Sequence, residues 1–261
     1  MKHNKVFYEE HTNFSGRTIT EYFISPGIYH KFNLILKEIS SCSSINTIDL
    51  GSSGNSLLHF LNDSIHKSCF DLSENSLKQY TKKSQKNKIR NEFWHPLCGT
   101  ITSLPYRDQT FDLISCLDVL EHIKDDSSAI REISRILKKG GLVIITVPHR
   151  NAYYSEQDKL IGHHRRYEIP ELISQFFSYK LRLVKILKVY GRLMRISDIQ
   201  SRNPEGIESG LSSLRERYER SLLFRSFWDV IVRIGAYMMK LDTKISPLGD
   251  IMNIGIILKK I

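Results

Sequence analysis

Two hydrophobic periods alternate along the first two thirds of the chain. Between Ile45 and Val147, short apolar runs take turns with stretches at helical spacing. That alternation predicts an α/β domain with a parallel sheet and helices on both faces. A strand signal ends at Asp49, and a second one, Lys67-Ser68-Cys69-Phe70, runs into Asp71. Pro26 to Ile39 reads as a helix, with Ile28, Phe32, Leu34, Ile35 and Ile39 on a 3.6-residue period. Leu57, Leu58 and Leu61 suggest a helix after the first strand, and Ser73 is placed to cap one running through Tyr80. Asp125 to Leu137 reads as a helix closed by Lys138-Lys139-Gly140-Gly141, cations followed by glycines. Another helix is expected from Pro170, and strands over Leu181–Val189 and Ile251–Leu258. The lysine-rich 82–90 stretch reads as a solvated loop.

Residues 191–247 separate these last two strands. The part through about Gly210 is polar. The part over 212–241 is a basic amphipathic helix, with Leu223, Phe224, Phe227, Trp228, Ile231, Ile234, Tyr237, Met238 and Leu241 at helical spacing among six cations. Such a helix can lie on an anionic membrane, or bury its apolar face on the domain or on a second copy.

The chemistry concentrates at the first strand-to-helix junction. Gly51-Ser52-Ser53-Gly54 is a loop of small residues, where backbone N–H groups can approach a ligand closely. Asp71, at the end of the second strand, is placed to accept both hydroxyls of a ribose. The pair points to a nucleoside-containing cofactor. A dinucleotide turn needs G-x-G-x-x-G, whereas this chain has G-S-S-G-N-S, and Asp49 would repel a pyrophosphate. S-adenosylmethionine, with an ammonium and a sulfonium and no phosphate, tolerates an acid there.

Here the chain resembles the class I S-adenosylmethionine-dependent methyltransferases, nearest to the ubiquinone and menaquinone biosynthesis type. Leu50 to Gly54 looks like the family's first motif, and Asp71-Leu72-Ser73 like its ribose-binding acid. Gly99 to Tyr106 looks like the segment over the adenine, Thr110 to His122 like the fourth strand and its turn, and Ile136 to Pro148 like the fifth. The resemblance implies a Rossmann-like seven-stranded doubly wound sheet in the order 3-2-1-4-5-7-6. A helical N-terminal cap (1–44) would precede a cofactor-binding core (45–190), with a helical insertion (191–247) before the last strand (248–261). It also implies S-adenosylmethionine as cofactor and S-adenosylhomocysteine as product, bound by Asp49, Gly51, Ser52, Ser53, Gly54, Asp71, Leu72, Thr100, Ile101 and Cys116. The family usually has an aspartate where Thr100 stands, so the adenine amino group would meet an uncharged acceptor.

The acceptor would then face the turns after strands four and five. Asp158 to Tyr167, D-K-L-I-G-H-H-R-R-Y, is similar to a substrate-side segment of small-molecule and lipid methyltransferases. Methyl transfer to a hydroxyl or protonated amine needs a base, and histidine titrates near neutrality. His163, His164 and His122 are the candidates, with His149 behind them. His149, Tyr154, Asp158, Arg165, Arg166 and Tyr167 are candidate substrate contacts. Either arginine could grip a carboxylate or phosphate, or pair with Asp158 or Glu168 and only shape the loop.

Bulk properties refine this picture. The net charge of +10 favours an anionic partner, nucleic acid or membrane surface. The charge suggests an RNA or protein methyltransferase as the alternative to a small-molecule or lipid-like acceptor, although no N-P-P-Y motif for amino groups of bases or glutamine and no Pro-Cys pair for pyrimidine C5 follows strand four. Ser53 and Thr100, in place of stronger motif residues, leave a non-catalytic adapter on the same fold as a third reading. The four cysteines form no C-x-x-C pair, and no zinc-ligand spacing appears. The N-terminus leads into no signal core, so the expected location is cytoplasmic, peripheral to a membrane if the insertion binds one.

Overall fold

The computed structural model describes residues 19–39, 46–51, 56–61, 66–78, 93–194 and 204–261. Its centre is a seven-stranded sheet: β1 (Asn46–Leu50), β2 (His66–Asp71), β3 (Phe93–Cys98), β4 (Phe111–Leu117), β5 (Leu137–Pro148), β6 (Leu181–Tyr190) and β7 (Asn253–Lys260). Their order is β3-β2-β1-β4-β5-β7-β6. The first five strands run parallel, and β7 enters antiparallel between β5 and β6. This is the expected fold. The strand order reverses between β1 and β4, the position where ligands of such sheets bind at the carboxyl ends.

Side-chain alternation sorts the two faces. Ile114, Val143, Ile145, Ile256 and Leu258 point to a core that is closed by α3 (Asp126–Ile136) and α5 (Ile169–Ser178) through Ile130, Ile133, Leu172 and Phe176. Leu113, Ile144 and Ile257, their neighbours in sequence, point to the opposite face. There they meet Phe32, Ile35 and Ile39 of α2 (Pro26–Ile39), which α1 (Thr20–Ile24) precedes. The N-terminal helix is therefore a full layer against the sheet.

Three local expectations change. The segment after β1 forms only a 3-10 turn, Leu57–Phe60, capped by Ser56 through the Leu58 N–H, rather than the start of an α-helix. Helix α3, capped by Asp125, stops at Ile136. The Lys-Lys-Gly-Gly run that reads as its terminus lies within β5 as an irregularity with Gly140 at φ +76°: Leu137 already pairs with Phe111, and the register shifts before Leu142 pairs with Leu113. The described residues of 191–247 form two helices, α6 (Pro204–Arg220) and α7 (Leu222–Ile245), which follow the short α4 (Glu156–Leu160) in chain order.

The helices α6 and α7 lie outside α1 and α2. Arg215 pairs with Glu21, Phe23 stacks on Tyr218 with ring centroids 6.3 Å apart, and Trp228 Nε1 donates to the Ile24 carbonyl (3.1 Å). Gly235 makes the close approach possible, since a Cβ there would sit 2.9 Å from Pro26 Cβ. Of the nine apolar residues on the expected amphipathic face, Phe224, Trp228 and Ile231 are part-buried and the other six are exposed.

Candidate active site

The cofactor end is built on β1 and β2. Gly51 turns the chain out of β1 at φ +76°, and its N–H donates to the Phe70 carbonyl (2.7 Å). A Cβ at this position would come within 2.5 Å of Val119 Cγ2, so only glycine fits. Asp49 is buried one strand turn earlier and accepts from Ser115 Oγ (2.6 Å). Burial pushes its carboxyl up to about 6 even against that hydrogen bond. Asp71 stands at the carboxyl end of β2, held by the Ser73 N–H (2.9 Å), while its carbonyl accepts from Gly99 N–H. A carboxylate on the rim beside a side-chain-free turn fits an adenosine ribose. Thr100 and Ile101 follow on the loop after β3, which Arg135 and Glu132 of α3 pin through Leu104 and the Tyr106 carbonyl. Thr100 shares its hydroxyl with Thr102 (2.8 Å), and Ile101 is buried. Ser52, Ser53 and Gly54 lie outside the described residues. Cys116 needs correction: its side chain is fully buried in the core below the rim, and burial raises its thiol well above the ordinary range. It packs the sheet and presents no surface to a ligand.

The opposite end, after β4 and β5, is a dense polar network. Asp118 leaves β4 at φ +54° and accepts from Thr146 Oγ1 (2.8 Å), Asn253 Nδ2 (2.9 Å) and the ammonium of Lys31. Burial alone would raise its carboxyl. Lys31 reverses the effect and holds it well below the usual carboxylate range. Lys31 comes from α2 and Asn253 from β7, and neither was visible as a site residue in the sequence. Lysines on amphipathic helices ordinarily point to water, and only the docking of α2 on the sheet turns this one inward.

One turn later, the chain places Glu121 and His122 on a short 3-10 turn, Leu120–His122. Glu121 is 1% exposed, and its Oε2 has no hydrogen-bond partner. Burial and the nearby Asp118 charge push its carboxyl well above the ordinary range. His122 is lowered to about 3 by burial and by His163, so it is neutral. Its ring meets that of His163 edge-on, with centroids 4.6 Å apart.

His163 is the centre of this end. Its Nδ1 lies 2.8 Å from Asp158 Oδ1, and its Nε2 lies 3.9 Å from Glu121 Oε1. Asp158 is fixed in turn by Arg166, whose Nε reaches both carboxylate oxygens (3.1 and 3.0 Å), and by the Ser155 N–H in a capping box at the start of α4. Burial would raise the Asp158 carboxyl, but His163 and Arg166 bring it down to about 2. One ligand atom from each of Glu121, His122 and His163 falls within 4.8 Å of the others. Two imidazoles and a carboxylate are a donor set that a divalent ion accepts, and spacing along the sequence does not reveal it.

The remaining predicted residues divide sharply. His164 is exposed and only its backbone engages, donating to the Glu121 carbonyl (2.7 Å). His149 is buried with Nδ1 3.0 Å from the Ile251 carbonyl. Both expected arginine contacts are spent within the protein: Arg166 on Asp158, and Arg165 on Asp126 (2.7 Å) and the Lys124 carbonyl. Tyr167 is buried and donates to Asp126 Oδ2 (3.0 Å), and Tyr154 donates to the His163 carbonyl (2.8 Å). Those residues frame the histidine loop. They are not laid out to grip an anionic substrate.

A family profile described as a methyltransferase domain matches residues 48–145. An uncharacterized protein of Methanocaldococcus jannaschii, MJ0638, is 30% identical over 162 residues, 60% of this chain and 66% of that protein. A ubiquinone biosynthesis O-methyltransferase of Ralstonia nicotianae is 40% identical over 43 residues, 16% of this chain and 18% of its own length. The resemblance to quinone enzymes is thus restricted to a short stretch. The chain spans between 18% and 66% of the first curated relatives it matches. Among solved structures, a Haemonchus contortus phosphoethanolamine N-methyltransferase 2, in complex with phosphomonomethylethanolamine and S-adenosylhomocysteine, superposes with a TM-score of 0.63 at 17% identity. The superposition covers 98% of this chain and 60% of that one. At this identity the likeness is one of fold.

Proposed function

We propose that this chain, which carries a methyltransferase domain over residues 48–145, is a class I S-adenosylmethionine-dependent methyltransferase that methylates an oxygen or nitrogen of a small-molecule or lipid-like acceptor. The observation that carries the acceptor side is the Asp158–His163–Glu121 arrangement. Asp158 takes the Nδ1–H of His163, which leaves the Nε2 lone pair directed toward Glu121. Burial favours the neutral form of Glu121, which repels no incoming hydroxyl and can donate to it from the unpartnered Oε2. Gly51 and Asp71 would hold the cofactor, which supplies an electrophilic methyl group on a sulfonium.

In this reading His163 is the base. The acceptor would give its O–H or N–H proton to Nε2 as its bond to the methyl carbon forms and the carbon–sulfur bond breaks, the electron pair leaving on sulfur. Asp158 keeps the ring oriented and stabilises the resulting imidazolium, as the carboxylate of a hydrolase triad does. His122, neutral across the working range, forms the wall beside it. His164, exposed, is dropped from the candidate bases. Proximity and orientation carry most of the rate, because the leaving group is already good.

The test is calorimetric titration with S-adenosylhomocysteine of wild type and Asp71→Ala, followed by an acceptor screen read by product mass. Micromolar binding that collapses in the variant supports the cofactor site. Absence of binding to wild type would sink the reading in favour of an adapter.

A further inference from the structure

Helix α7 divides the apolar residues of the insertion into two sets. Phe224, Trp228 and Ile231 turn toward the domain, with Trp228 bonded to the Ile24 carbonyl. Leu223, Phe227, Val230, Ile234, Leu241 and Ile245 are all exposed, Leu223 at 86% and Ile245 at 79%. Their spacing of four, three, four, seven and four residues keeps them on one line, within about 100° of arc at 3.6 residues per turn. The line runs the whole 24-residue helix, about 36 Å at 1.5 Å per residue. Contiguous exposed apolar surface of this extent marks an interaction site.

The charges beside the stripe identify the occupant. Arg233, Lys240 and Lys244 are exposed along one flank. The two acidic residues of the helix are turned away: Asp229 accepts from Tyr218 Oη (2.7 Å), and Asp242 is buried, accepting from the Leu193 N–H (3.0 Å) and Ser246 Oγ (3.2 Å). Every outward charge on α7 is therefore positive, on a chain of net charge +10. A second copy would bring cations against cations, whereas an anionic lipid surface complements both stripe and flank. No described helix is long and apolar enough to cross a membrane, which leaves the plane of the interface.

We propose that the outer face of α7 docks the protein on an anionic lipid bilayer, with the helix lying in the interface and Arg233, Lys240 and Lys244 reaching the headgroups. This rests on the proposed function only in supplying a surface from which a lipid-like acceptor would come, and vesicle binding is measured without methyl transfer.

The experiment is co-sedimentation of the full chain with vesicles of phosphatidylglycerol and phosphatidylcholine, and with phosphatidylcholine alone. Wild type is expected to pellet with the anionic vesicles and to be released by salt. Phe227→Asp with Ile234→Asp should weaken the partition more than tenfold. Arg233→Gln, Lys240→Gln and Lys244→Gln together should weaken it about hundredfold on anionic vesicles only, at about fivefold per surface cation. Unchanged S-adenosylhomocysteine affinity of the double aspartate variant shows that its fold is intact. Wild type that stays in the supernatant with anionic vesicles overturns the proposal, as does a double variant that pellets like wild type. Light scattering provides the rival outcome: a dimer that the double variant dissolves, with no vesicle binding, assigns the face to a second copy and overturns the proposal equally.

Discussion

The rim beyond β1 and β2 and the rim beyond β4 and β5 solve opposite problems with opposite materials. The first presents backbone and one carboxylate: a glycine turn that Val119 would otherwise block, and Asp71 on a neighbouring strand end. The second presents almost no bare backbone. Asp118, Glu121, His122, Asp158, His163 and Arg166 share hydrogen bonds or charge with one another and with Lys31 and Asn253. A cofactor common to a large family can be held by a local turn. Moving a proton at a chosen atom needs several groups whose ionisation is mutually set, two acids pushed apart being the usual sign of such a site. Here Glu121 is raised and Asp158 lowered, on either side of one histidine.

Breaking the second rim should do most damage to chemistry and least to cofactor affinity. Replacing His163 with Ala is expected to slow methyl transfer by about 10²–10³-fold, the range for a lost general base, with S-adenosylhomocysteine affinity within about twofold of wild type. Single-turnover kinetics beside calorimetry decide this, and equal losses in both would merge the two rims. Next comes stability. Lys31→Met leaves the Asp118 carboxylate without its cation in a largely buried place and should cost about 2–3 kcal/mol in denaturant unfolding, less than a fully buried pair would because Asp118 is 32% exposed. The first rim is expected to answer in affinity alone. Asp71→Ala should weaken S-adenosylhomocysteine about tenfold or more, since hydrogen bonds to a charged group contribute about 1.5–3 kcal/mol.

The smallest effect sharpens the comparison through pH. The folded Asp158 carboxyl titrates at about 2, below its ordinary 3.8. Its contribution to stability is present above the ordinary value and disappears as pH falls through the folded one. Asp158→Asn should therefore flatten the acid limb of the stability curve between about pH 4 and pH 2, relative to wild type. An unchanged limb would mean that the bond between Asp158 and His163 adds nothing to folding.

The two rims also differ in how far they could be read from residues. Gly51, Asp71 and the strands under them are separated by twenty positions, and each obeys a local rule of turn or strand end. The helix over Pro26–Ile39 was accessible in the same way, through periodicity, whereas the sheet order came from the resemblance to the family. The 3-10 turn after β1 and the place of the Lys-Lys-Gly-Gly run inside β5 were not. Each depends on how much chain remains to reach the next strand or on a pairing partner in β4. His163 was singled out from a loop motif, but its precedence over His164 follows from Asp158 and Glu121, one five residues away on a helical turn and the other across the site.

Apolar periodicity and small-residue turns thus determined the sheet, its layers and the cofactor rim, because those features arise between neighbours in the chain. Only the tertiary structure decided that Lys31 serves Asp118, that Arg165 and Arg166 are spent on the scaffold, and which part of the α7 stripe faces out. Each of those is a choice of partner, and the helical period that reveals an apolar side does not reveal what will cover it.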